Sequence, residues 1–191
     1  MDSTDEQVMG RVQAGEHEAL HDLFQRYKVR IFHFCLGMLR NRADAEEASG
    51  DVFLALVIDS RAFDPTRRFS TWLFAIARNK CVSRLRKRAR LLPLWSRDDD
   101  EEDVGADVPD LSDPAWQHVA RQELAARIRK AINLLPVDQR TALILRQYHG
   151  FTYEEVADIM RCSLANVKVL LFRAKDRLRV HLAAVIQEER S

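Results

Sequence analysis

The chain has 191 residues, 47% of them apolar and 31% charged, with only six glycines, five prolines and a formal net charge of +1. That length holds one or two domains with modest cores. The composition excludes a disordered chain, which has fewer apolar groups, and a β-rich one, which needs more turn residues.

No apolar run approaches the ~20 residues of a membrane span. The first residues, MDSTDEQ, are acidic where a signal peptide is basic and then apolar. A cytoplasmic protein is expected. Cys35, Cys81 and Cys162 are odd in number, far apart and set in apolar patterns, so they read as small core residues and not as a disulfide framework or a zinc site. The near-neutral charge hides two opposite blocks. Between Thr66 and Arg97 stand ten basic residues and no acidic one; between Asp98 and Asp113 stand nine acidic residues and no basic one. Each block can attract its own partner.

In chain order, residues 4 to 14 read as a short helix, with Thr4 as cap, Gln7 completing a capping box and Gly15 ending it. From His17 to Arg40, Leu20, Leu23, Phe24, Tyr27, Ile31, Phe34, Cys35 and Met38 form the stripe of a long amphipathic helix. A third helix runs from about Ala43 to Ile58, with Ala48, Val52, Ala55 and Leu56 inward and Asp44, Glu46, Glu47 and Asp51 outward. Phe53, Leu54 and Val57 make its apolar arc too wide for one packing face. A partner surface and a buried central helix fit that excess equally well.

Asp59 to Arg68 is a loop with a turn at Asp64-Pro65. Helix returns with Ser70 as cap and continues to about Arg90. Here Phe63, Phe69, Trp72 and Phe74 lie beside the basic block. Cations that track phosphates and aromatic faces that replace base stacking are what unpaired bases require. Trp72 and Phe74 also neighbour Leu73, Ile76 and Ala77, which favours core positions for both. Leu91 to Pro114 carries three prolines and the acidic run, and reads as a linker. Helix resumes at about Ala115, with Trp116, Ala120, Leu124, Ile128, Ala131 and Leu135 in register, and stops at Pro136. A short helix from Asp138 to Tyr148 is closed by Gly150.

Thr152 to Lys175 has the spacing of a helix-turn-helix. Val156, Met160, Cys162, Val167 and Leu170 fall at buried positions and Ala157 where the two helices come closest. Thr152 and Glu155 form a capping box, and Ser163 caps the second helix. Asn166, Lys168, Arg173 and Lys175 lie opposite the apolar seam, a basic face suited to the major groove. An ordinary helical hairpin shares the apolar spacing but needs no basic face. Arg161 sits in the turn where glycine is common, so the turn either avoids positive φ or is strained by ~1 kcal/mol.

The order of these parts resembles the bacterial RNA polymerase sigma factors of the extracytoplasmic-function group, in the sigma-70 family. FSTWLFAIARNKCVSRLRKR at Phe69 to Arg88 is similar to the family's promoter-reading and melting segment. ADAEEASGDVFLAL at Ala43 to Leu56 is similar to its polymerase-binding helix, and LPVDQRTALILRQYHGFTYEEVADIM at Leu135 to Met160 to the start of its C-terminal DNA-binding domain. The fold class expected is all-α, two helical domains joined by a flexible acidic linker, the C-terminal one with a helix-turn-helix. The divisions expected are 1–92 (region 2), 93–114 (linker) and 115–191 (region 4).

The resemblance implies roles. Asp51, Val52, Phe53 and Leu54 would contact core RNA polymerase. Phe63 and Asn79 would hold a flipped base of the minus-ten element, with Lys80, Ser83 and Arg84 along the same strand; flipping costs a few kcal/mol that pocket and phosphate contacts offset. Ser163, Asn166, Lys168, Val169, Phe172 and Arg173 would face the minus-thirty-five element of promoter DNA. The acidic linker would thread toward basic polymerase channels. The resemblance also allows an anti-sigma factor as partner. Departures from the family pattern are Val169 for a small polar residue, Leu170 for Arg, Asn166 for Thr, Gly50 for Gln and Ser83 for Asp. The two polar groups lost on the second helix of the helix-turn-helix would shift minus-thirty-five readout toward apolar contact with thymine methyls and groove shape.

No phosphate-cradling glycine loop, metal-ligand cluster or Ser/His/Asp set appears, and no cofactor or enzymatic activity is expected. A stand-alone helix-turn-helix regulator is the alternative; it would bind a palindrome as a dimer without polymerase. A nuclease or resolvase would need acids or a serine nucleophile close to the basic helix, and residues 66 to 97 hold no acid.

Overall fold

The computed structural model describes residues 3–91 and 126–188. The linker at 93–114 and the helix start expected at Ala115, with Trp116, Ala120 and Leu124, lie outside the described residues.

α1 (Asp5–Gln13) begins at Thr4 with a reciprocal box. The Gln7 amide donates to the Thr4 hydroxyl at 3.3 Å, and the Thr4 amide donates to Gln7 Oε1 at 3.0 Å. Gly15, at φ +94°, turns the chain. α2 (His17–Leu39) follows, and Arg40 ends it in the left-handed region at φ 63°. α3 (Arg42–Ile58) is capped by Asn41, whose Oδ1 accepts from the Asp44 amide at 2.9 Å.

α4 (Phe69–Leu91) corrects one expectation. Ser70 lies inside the helix and does not cap it. The Phe69 amide instead donates to Glu6 Oε1 at 3.0 Å, so a carboxylate from α1 completes the N-terminus of α4. Leu23, Ile31, Phe34 and Met38 of α2 are fully buried with Ala48, Val52 and Leu56 of α3 and Phe69, Leu73 and Phe74 of α4. Cys35 and Cys81 are buried free thiols, and the neighbouring Cys35 together with burial pushes the Cys81 thiol up.

The second half opens with α5, described at 126–133. α6 (Val137–Leu143) runs into a π-helical turn, Ile144–Tyr148. The wider turn lets the His149 amide reach Ile144 O at 3.3 Å and the Phe151 amide reach Leu145 O at 3.2 Å. Gly150, at φ +73°, then releases the chain into α7 (Tyr153–Met160) and α8 (Leu164–Glu188).

The two halves touch, and their buried side chains form one cluster. The Phe74 ring lies 4.9 Å from the His149 ring and 4.9 Å from Phe151, and Phe34 lies 5.8 Å from His149. Arg30 covers Phe74 at 5.5 Å and Phe151 at 6.0 Å and donates to His149 O at 3.4 Å. A Cβ on Gly37 would stand 3.0 Å from Ile144 Cδ1, so α2 and the π turn meet where only glycine fits without adjustment. The Thr141 hydroxyl donates to Val137 O at 2.7 Å and lies 3.4 Å from Met38 Sδ. Two ion pairs flank these contacts, Arg68 with Glu155 and Arg78 with Asp138, the latter at 3.5 Å.

Magnitudes rank these contacts. Each ring pair contributes ~0.5–1.5 kcal/mol beyond its buried area. The ion pairs contribute only ~0–1 kcal/mol each, because Arg68 and Asp138 keep 72% and 62% of their side-chain exposure. Against them, Arg78 Nε is buried without a hydrogen-bond partner, at a cost of ~1–3 kcal/mol. The seam is held by packing, and its polar rim adds little net stability.

Candidate nucleic-acid interface and docking surface

The recognition side of the helix-turn-helix is built from the local rules that form it. Thr152 and Glu155 box the start of α7, with the Glu155 amide donating to Thr152 Oγ1 at 3.2 Å and the Thr152 amide to Glu155 Oε2 at 2.8 Å. These bonds and the Arg68 guanidinium hold the Glu155 carboxyl below its usual range, against the opposing effect of its partial burial. Arg161 adopts φ 53° and ψ 50°, so the turn takes the strained option, and its amide still closes onto Ala157 O and Asp158 O. Ser163 starts α8, its Oγ accepting from the Asn166 amide at 3.2 Å.

From that start, Ser163, Asn166, Lys168, Val169, Phe172 and Arg173 all stand exposed on α8. Val156, Ala157, Met160 and Val167 are buried as expected, and Cys162 is partly covered. Leu170 departs from the expected pattern. It is half-buried, and Leu171 takes the buried position at 3% exposure. Leu170 therefore spends its side chain partly on packing, whereas Val169 (44% exposed) and Phe172 (73%) are presented outward.

On α4 the expected strand-binding residues are brought together unevenly. Asn79 and Ser83 are exposed and Lys80 is half-buried on the helix surface. Phe63, expected to hold a flipped base, is 3% exposed, edge-on to Phe69 at 5.8 Å and to Trp72 at 5.4 Å, so its ring is turned inward. Its loop is pinned from α1, because Gln13 Nε2 donates to Ser60 O and Phe63 O, each at 2.9 Å. Arg84 is also committed. It bonds Glu47 Oε2 at 3.0 Å and Asp51 Oδ2 at 2.5 Å, and these carboxylates drive its guanidinium further up and hold Glu47 down. Arg86, Lys87, Arg88 and Arg90 extend the basic face, all exposed.

The wide apolar arc of α3 resolves into an open surface. Leu54, Val57 and Ile58 are 58%, 50% and 69% exposed, and Phe53 is half-buried against Phe24 at 4.8 Å. Val52, also expected to contact polymerase, is fully buried in this helix. Asp51 is half-buried and engaged by Arg84. Phe24 is 39% exposed and joins this patch, which the sequence reading missed. No local signal marked it, because Leu20, Leu23, Phe24 and Tyr27 have the i, i+3, i+4, i+7 spacing of one ordinary packing face.

Among the described residues no cluster of three or more His, Cys, Asp or Glu could hold a metal ion, and no helix is long and apolar enough to cross a membrane. Fold and surfaces together define an all-helical protein of two parts, one with a basic helix beside an exposed apolar patch and one with a helix-turn-helix whose second helix is open to solvent. Comparisons with known proteins narrow the class. Residues 23–91 match the family model Sigma-70 region 2, and residues 125–178 match Sigma-70, region 4.

The chain belongs to the sigma-70 family of transcription initiation factors, in its extracytoplasmic-function (ECF) group. It is 30% identical over 171 residues to RNA polymerase sigma factor CarQ of Myxococcus xanthus, covering 90% of this chain and 93% of that one. It is 30% identical over 181 residues to the ECF RNA polymerase sigma-E factor of Escherichia coli, covering 92% of each. Among solved structures, the sigma factor RpoE of Bartonella quintana, in complex with the anti-sigma factor NepR, matches with TM-score 0.67 and 25% identity over 85% of this chain and 96% of that one.

Proposed function

We propose that this protein binds core RNA polymerase through α3 and directs it to promoters by two DNA-reading helices, α4 and α8. The observation that carries the reading is the coexistence of three unlike surfaces on one helical chain: an exposed apolar patch at Phe53, Leu54, Val57 and Ile58, a basic face along α4, and an exposed recognition face from Ser163 to Arg173. A stand-alone regulator has no use for the first of these. The divisions 1–92, 93–114 and 115–191 follow as polymerase-docking and minus-ten unit, acidic linker and minus-thirty-five unit.

Roles within the surfaces follow the chemistry available. Phe53 and Leu54 have apolar area to bury against polymerase, with Phe24 at the edge of the patch. Asn79, Lys80 and Ser83 can meet an unpaired strand directly. Arg84 works from its bond to Glu47 and Asp51, so strand contact there would require sharing or breaking those ion pairs. On α8, Lys168 and Arg173 suit phosphates while Val169 and Phe172 suit thymine methyls. These roles are binding roles; the protein needs no catalytic group of its own, and it acts in the cytoplasm, where polymerase and promoter DNA are. By analogy with the complexed RpoE, an anti-sigma factor is a fitting partner, and the exposed Val169 and Phe172 give it apolar anchors.

The test is transcription in vitro by core polymerase with this protein on genomic DNA, with the transcripts sequenced. Discrete start sites that need both components are expected. Palindromic binding without polymerase, and no new start sites, would return the reading to a stand-alone regulator.

A further inference from the structure

A single guanidinium joins the helix assigned to polymerase to the helix assigned to the promoter strand. On α3, residues 47, 51, 54 and 58 recur at helical spacing and share one stripe. Its first half is acidic, Glu47 and Asp51, and its second half is apolar, Leu54 and Ile58. Arg84 of α4 closes on the acids, Nη1 on Glu47 Oε2 at 3.0 Å and Nη2 on Asp51 Oδ2 at 2.5 Å, while Leu54 and Ile58 stay open to solvent. A partner that covers Leu54 therefore arrives one helical turn from Asp51.

On α4 the same two acids interrupt a row of cations. Lys80, Arg84, Lys87 and Arg88 fall at i, i+4, i+7 and i+8, on one side of the helix. Such a row can track a phosphate chain, and each phosphate it neutralises adds to affinity at low salt. Arg84 is spent in the middle of it. The Glu47 carboxyl, held below its usual range by Arg84 first and by Lys87 in smaller part, adds negative charge beside Lys87 as well. The Arg84 side chain is only 22% exposed, but Glu47 and Asp51 keep 69% and 39% of theirs, so both carboxylates can be reached from outside. Ion pairs this open contribute little and exchange partners readily.

We propose that Arg84 is a relay between the two surfaces: a cationic side chain of polymerase beside the Leu54 contact takes over Glu47 and Asp51, and Arg84, released, joins the cation row on the strand. In the free chain the acids hold Arg84 back. In the docked chain they are neutralised by polymerase, and the row is complete. Because such coupling is reciprocal, strand binding tightens docking by the same factor. The relay rests on the docking role of α3 and the strand-reading role of α4, but its masking half can be measured without polymerase.

The experiment compares the full chain with Glu47→Gln/Asp51→Asn, with Arg84→Ala and with all three substitutions together, after circular dichroism shows that each variant keeps its helix content. Anisotropy of a labelled single-stranded oligonucleotide at low salt reads masking. Removing the acids should tighten binding about tenfold with Arg84 present and only about twofold in the Arg84→Ala background, where the loss of two anions still helps the remaining cations. If the double variant does not fold, Glu47→Gln alone, at a mostly exposed side chain, carries the same comparison. Equal gains in both backgrounds, or no gain in either, overturn the masking. The same titrations at saturating core polymerase read the exchange: wild type and the acid variant should then bind the strand equally, and a persisting difference overturns the relay. Failure of the wild type to bind core polymerase would refute the docking role and the exchange with it, while the free-chain comparison would still decide whether the acids mask Arg84.

Discussion

The docking role proposed for α3 can be tested by a pair of substitutions two residues apart with opposite consequences. Leu54 is 58% exposed and Val52 is fully buried in the same helix. Fully burying a leucine contributes ~1.5–3 kcal/mol. If polymerase covers the exposed part of Leu54, truncation to alanine forfeits about 1–2 kcal/mol of binding, or roughly a 5- to 30-fold weaker Kd. Folding should barely change, because an exposed leucine contributes little to the core. Val52→Ala should do the reverse. It removes two buried carbons and leaves a cavity, costing about 2–3 kcal/mol of stability and lowering Tm by about 10 °C or more for a domain of this size. Titration of labelled protein with core polymerase, beside thermal melts of the isolated chain, separates the two. An unchanged Kd for Leu54→Ala would show that polymerase does not cover α3 at this point. An undiminished Tm for Val52→Ala would refute the burial argument.

Two other tests follow from the backbone and from protonation. Arg161→Gly relieves a left-handed residue at φ 53°; ~1–2 kcal/mol of strain set against ~0.5–1 kcal/mol of extra unfolded-state entropy leaves a net gain below about 1 kcal/mol. The melt of the helix-turn-helix should rise by a few degrees, and a lower Tm would mean that the Arg161 side chain makes a contact worth more than the strain. His149 is held down to about 4 by burial first, then by Arg30 and His33, from an ordinary 6.5. The unfolded chain therefore takes up this proton first. Stability is complete above about pH 6.5 and falls as pH drops toward 4, by about 3 kcal/mol from this residue. Urea melts of wild type and His149→Phe across that window check it: the variant should lose less stability on acidification, and parallel curves would contradict the assignment.

Comparing residues shows which features sequence could and could not reveal. The capping boxes at Thr4/Gln7 and Thr152/Glu155 form as their spacing predicts, because both partners sit within one helical turn and need nothing distant. The stripe of α2 and the inward positions of α3 follow for the same reason: periodicity is local. Ser70 failed as a cap because the helix starts at Phe69, whose amide is met by Glu6, 63 positions before it. Leu171 displaced Leu170 because adjacent leucines compete for one buried position, and the choice depends on how α8 rests on α6 and α7. The excess arc of α3 was readable, but whether it met solvent or a neighbouring helix was a question about packing.

The amino-acid sequence by itself determined the helices, the turn chemistry, the two charge blocks and the resemblance that assigns the family, since all of these are carried by neighbours along the chain. Only the tertiary structure decided that Phe63 turns its ring into the core, that Arg84 is held by Glu47 and Asp51, that Val52 is sealed while Leu54 is open, and that Phe74 and Arg78 face the second half. Those outcomes depend on which helix faces meet. A contact between residues more than thirty positions apart is set by the balance of burial and desolvation over the whole cluster, which no local pattern encodes.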